Sequence, residues 1–132
     1  MRSAHTRGLF KTAACFNVLA GLPMLLATTP VAALLGLEIT PTSTLFIQIT
    51  MAVVVMFGWA YWMVSVDPVR YRPFIGLGLT LKVVVVALIG GYWLAGNIPW
   101  PLPALALGDI VLAVLFWRYL RGSPYAVISR FQ

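Results

Sequence analysis

The sequence predicts an all-α fold: an integral membrane four-helix bundle, a single transmembrane domain over residues 1–132, with both termini in the cytoplasm. Three observations predict it. The chain is 61% hydrophobic and only 9% charged, where soluble domains are about 45–50% apolar and about 25% charged. It contains four apolar stretches, at roughly 10–27, 45–66, 74–94 and 102–120, each near the ~20 residues that cross a hydrocarbon core of about 30 Å. Finally, its cations gather on alternate connections.

The elements follow in order. The first span is preceded by Arg2, Arg7 and Lys11. The break at 28–44 carries Pro30, Glu38 and Pro41, and its apolar centre at 31–37 is too short to cross a bilayer. It reads as a short helix in the outer interface. Residues 40–44 read as a loop and helix cap. A short basic turn with Asp67, Pro68, Arg70 and Arg72 joins spans two and three, and Asn97, Pro99, Trp100 and Pro101 make a tight hairpin before span four. Arg118, Arg121 and Arg130 close the chain. Of the nine Lys and Arg residues only Lys82 lies away from these inner segments. Short Lys/Arg-rich loops stay in the cytoplasm. Tyr92, Trp93 and Trp100 then fall near the outer interface, and Tyr61, Trp62, Trp117 and Tyr119 near the inner one, as aromatic belts. A rival reading takes the basic start, the apolar run and the small residues at 31–33 as a cleaved signal peptide. It leaves three spans in the same orientation. Asn17, Gly21 and Pro23 interrupt that run and its length exceeds an ordinary signal core.

The net charge of +6 points to anionic headgroups and to orientation in the membrane, not to nucleic acid, because the cations flank apolar runs. Cys15 is the sole cysteine, which excludes an internal disulfide, a redox pair and a cysteine metal cage. His5 is the sole histidine and reads as part of a polar, mobile tail. No phosphate-binding, dinucleotide-binding or serine-nucleophile motif is present, and Gly76 and Gly78 read as packing residues within a span. No catalytic, cofactor-binding or metal-binding residues are expected, and no cofactor.

Chemistry is confined to polar groups inside the spans. At 1.5 Å per helical residue, Lys82 lies about 12 Å from Phe74, Asp109 about 13–14 Å from Arg118 and Asn17 about 10–11 Å from Phe10. The matching position in span two is Gly58. Asn17, Gly58, Lys82 and Asp109 therefore form one intramembrane polar layer, structural or ligand-binding. Small residues one turn away mark buried seams: Ala13, Ala14, Ala20 and Gly21 beside Asn17, Gly78 beside Lys82, and Ala106 and Ala113 beside Asp109. A charge at the bilayer centre costs at least ~2.5–3.5 kcal/mol, so Lys82 and Asp109 should pair. The alternatives are that Lys82 snorkels towards the cytoplasm or that both groups line a pocket.

Asn17, Gly21 and Pro23 in the first span, the Asp67–Pro68 turn with Arg70 and Arg72, and a last span ending in Arg118 and Arg121 give the chain a layout that resembles small bacterial four-helix DoxX-like membrane proteins. The resemblance covers most of the chain in layout. It implies a multi-pass protein of the bacterial inner membrane. Many such proteins have no assigned function and some accompany oxidoreductase complexes; no catalytic residue is implied. Three functions stay open. The first is a non-catalytic accessory or assembly subunit of a larger membrane complex. The second is a small dimeric transporter or channel using Lys82 and Asp109. The third is a lipid-, sterol- or quinone-binding membrane enzyme. The partners expected are the lipid bilayer and either a larger complex or a second copy.

Overall fold

The computed structural model describes residues 2–122; Arg130 lies outside them. Over that range the chain is all-helical: α1 Arg2–Leu26, α2 Thr28–Leu34, α3 Pro41–Val66, α4 Arg72–Leu94 and α5 Pro101–Gly122. Four of the five are long and apolar enough to cross a membrane. α1 begins well before the apolar stretch, so His5 lies within a helix. A run of polar and basic residues lowers hydropathy without breaking the backbone hydrogen-bond ladder, and only Gly8 weakens it.

The ends of the helices follow local chemistry. α2 starts at Thr28, three residues before the apolar centre that marked it in the sequence, because the Thr28 hydroxyl donates to Met24 O at 2.7 Å and carries the helical path past Ala27. It stops at Gly36, whose φ of +71° is the left-handed region glycine tolerates. Leu37 N–H then donates to Ala32 O, and Gly36 N–H to Ala33 O, the six-to-one and paired bonds of a Schellman stop. Gly96 (φ +77°) ends α4 in the same way, with Asn97 N–H on Tyr92 O. α3 opens on a capping box: Ser43 N–H donates to Thr40 Oγ1, and Thr40 N–H to Ser43 Oγ. Between α3 and α4, Asp67 Oδ1 accepts Arg70 N–H at 3.2 Å and folds the turn back on itself.

The four long helices run alternately up and down. α1 lies antiparallel to α3 in the most extensive contact, α5 lies antiparallel to α4, and narrower seams join the two pairs. Lys11, the 67–71 turn, Arg118 and Arg121 share one end. The opposite end holds the 35–40 and 95–100 connections, where Gly36 abuts Pro99. The core sits toward the basic end. Phe10, Ala13, Ala14, Tyr61, Val64, Ile75, Leu112 and Phe116 form one buried cluster, with Phe116 against Phe10 and Tyr61 at ring separations of 4.9 and 5.1 Å. Along α4 the buried positions are Ile75, Gly78 and Lys82, a single stripe at helical spacing, and none lies beyond Lys82.

Two expectations change here. Tyr61 is fully buried and is not part of an aromatic belt, whereas Trp62 and Trp117 are about half exposed. Ala20 is exposed, although its neighbour Gly21 is buried against Val54 and Val55 of α3. At that height α1 faces only α3, so one stripe of α1 suffices.

Candidate functional site

The polar layer assembles where the two helix pairs meet. Lys82 Nζ lies 2.6 Å from Asp109 Oδ1, so the pair joins neighbouring helices α4 and α5. The same ammonium donates to Asn17 Oδ1 of α1 at 3.3 Å, across the bundle. Asn17 Nδ2 in turn donates to Val54 O of α3 at 3.1 Å. Four helices are thus tied through two side-chain donors. The amide has one acceptor and one donor end, and each faces the complementary group.

Glycines permit the close approaches. A Cβ on Gly58 would stand 3.3 Å from Asn17 Cβ and 3.0 Å from Val18 Cγ2, so a side chain there would press α1 and α3 apart by a few tenths of an ångström beside the amide. All four residues singled out in the sequence are therefore adjacent. Two further residues complete the surroundings. The Lys82 ammonium lies 5.4 Å from the Phe16 ring centre and 5.5 Å from that of Tyr61, within reach of a cation–π attraction. Each ring sits in a gap left by a glycine of the other pair: Tyr61 against Gly78, and Phe16 against Gly108. Sequence reasoning placed Tyr61 at an interface and passed over Phe16. The signal that points to both is the glycine facing each of them, and no helical period reveals which aromatic will face which glycine.

The two charges are unequally enclosed. The Lys82 side chain is 4% exposed and that of Asp109 23%. Tyr61 Oη is buried without a hydrogen-bond partner among the described residues. The buried Lys82 amine meets a carboxylate, an amide oxygen and two ring faces, and the arrangement binds helices together. Among the described residues no group of three His, Cys, Asp or Glu side chains converges. Elsewhere, Ala87, Gly91 and Ala104 are exposed, and a Cβ on Gly91 would meet nothing within 4 Å.

No protein-family model matches this chain, and neither a curated protein nor a solved structure is significantly similar to it.

Proposed function

We propose that this is a multi-pass inner-membrane protein, N-in and C-in, that serves as a non-catalytic accessory or assembly subunit of a larger membrane complex. The observation that carries the reading is the closure of the polar layer on itself: Lys82 is engaged by Asp109 and Asn17, and Asn17 by Val54 O. Polar groups that satisfy one another inside a bundle fasten its helices, and recognition then falls to the outside. That outside is apolar. Leu19, Leu26 and Leu94 are each more than 70% exposed, and continuous apolar surface of this kind suits lipid or a packed neighbour, not water. The common end shared by Lys11, Arg70, Arg118 and Arg121 supports the orientation, and the layout shared with DoxX-like proteins agrees with it. Reporter fusions after Glu38 and Asn97 are expected to read as external, and those after Arg70 and Arg121 as cytoplasmic. An external reading at Arg121 would reverse the topology.

The partner-facing surface in this reading is the outer half of α4, where Ala87 and Gly91 make a small-xxx-small pair beside exposed Val83, Val84 and Leu88. Ala87→Leu and Gly91→Leu should release a co-purifying partner without lowering the stability of the bundle, since no packed neighbour inside the chain is displaced. Gly108 behaves differently, because Phe16 already fills its gap.

One observation favours a second reading, a small transporter or ligand site: the partial exposure of the Asp109 carboxylate. Asp109→Asn separates the two. It keeps an acceptor for Lys82 and removes the charge. Under the accessory reading a folded Asp109→Asn protein retains its partner and its cellular phenotype. A folded variant that retains its partner but loses all activity transfers the role to the charge itself.

A further inference from the structure

A long groove runs down the outer face of α1. Its first part, a hollow of about 470 Å³ between α1 and α3, is lined by Cys15, Val18, Leu19, Gly58, Trp59 and Trp62. Val18 and Leu19 continue into a second hollow of about 260 Å³ with Leu22, Pro23 and Leu26. Counted from Phe10 at 1.5 Å per residue, the first part, from Ala14 to Leu19, lies about 6 to about 14 Å deep, within the ~15 Å inner half of a hydrocarbon core, and the second part continues past the midplane.

One end of this groove is charged. Lys11 lies one turn before Cys15, and its ammonium sits over the Trp62 ring at 5.8 Å from the centre. Arg7 lies a turn earlier on the same face and is exposed. Among the described residues no acidic side chain lines the groove. Cations at the headgroup end of an apolar hollow that lies within the inner leaflet match an anionic lipid. We infer that the groove holds an acyl chain of an anionic glycerophospholipid, with Lys11 and Arg7 on its phosphate. A second copy of the chain is the rival occupant, and it would place Lys11 and Arg7 near like charges of the other copy's α1 if the same faces met.

The inference rests on the membrane reading above, and the test keeps the two apart. Trp59 and Trp62 line the groove, and Trp93, Trp100 and Trp117 are the remaining tryptophans. With those three replaced by Phe, fluorescence reports on the groove. The protein is reconstituted in phosphatidylcholine vesicles containing increasing phosphatidylglycerol with brominated chains, and quenching gives the relative binding constant of the two lipids. The expected preference for phosphatidylglycerol exceeds tenfold. Lys11→Gln and Arg7→Gln should each lower it about fivefold, the factor that corresponds to about 1 kcal/mol per cation near a membrane surface. A ratio near one, or one that Lys11→Gln leaves unchanged, overturns the inference while the membrane reading stands. Quenching that disappears as protein density rises, whatever the headgroup, assigns the groove to a second copy and also overturns it. A protein that fails to float with the vesicles defeats the membrane reading and this inference together.

Discussion

Lys82→Met or Asp109→Leu alone is expected to destabilise the bundle by about 3–5 kcal/mol, the usual cost of leaving one member of a buried pair uncompensated. The Lys82 side, which is nearly inaccessible, should be the more severe charge to strand: with Asp109 gone, its ammonium keeps only Asn17 Oδ1 and the two ring faces. The double change Lys82→Met with Asp109→Leu removes both charges and restores apolar packing, so it should be milder than either single change. Unfolding in mixed micelles, read by proteolysis or by loss of tryptophan signal, gives the four stabilities of the cycle. A coupling energy near zero would mean that the 2.6 Å pair does not persist in the folded protein.

Gly78→Ala carries the second large effect. An added Cβ would stand 2.5 Å from Tyr61 Cε1, and Tyr61 has little room to retreat because Phe116, edge-on, and Phe57, tilted, pack around it with ring centres at 5.1 and 6.1 Å. Overpacking of this kind costs about 1–3 kcal/mol. Tyr61→Leu in the same molecule should recover much of it by clearing the ring. Tyr61→Phe alone should be neutral to stabilising, since the hydroxyl it removes has no hydrogen-bond partner among the described residues and an unsatisfied buried hydroxyl is itself unfavourable. If Gly78→Ala melts like the parent, α3 and α4 approach one another less closely than described.

The helical fold was legible because the apolar stretches are long, and helical rise is constant. Counting residues from the span ends was enough to bring Asn17, Gly58, Lys82 and Asp109 to one depth, and rise does not depend on neighbours. Helix ends were less legible. The sequence shows where hydropathy changes, and α1 runs on through Arg7 and Lys11 to Arg2 because polar residues are compatible with helix. The surroundings of Lys82 were the least legible part. Tyr61 and Phe16 are apolar-faced residues in apolar runs, and their roles depend on Gly78 and Gly108, which are supplied by other helices. Ala20 misled for the converse reason: a small residue suggests a close contact only if a second helix is there to make it.

The position of the ion pair also bears on how the molecule is made. Lys82 and Asp109 are 27 residues apart, on the two arms of one hairpin, while the bond from Lys82 to Asn17 reaches back 65 residues to α1. A nascent α4–α5 hairpin therefore carries its own counterion. On the membrane reading proposed above, it can enter a bilayer as a unit whose two charged groups are already paired, without waiting for the rest of the chain to shelter either of them. The amide of Asn17, bonded to Lys82 on one side and to Val54 O on the other, is the polar latch between that hairpin and the α1–α3 pair.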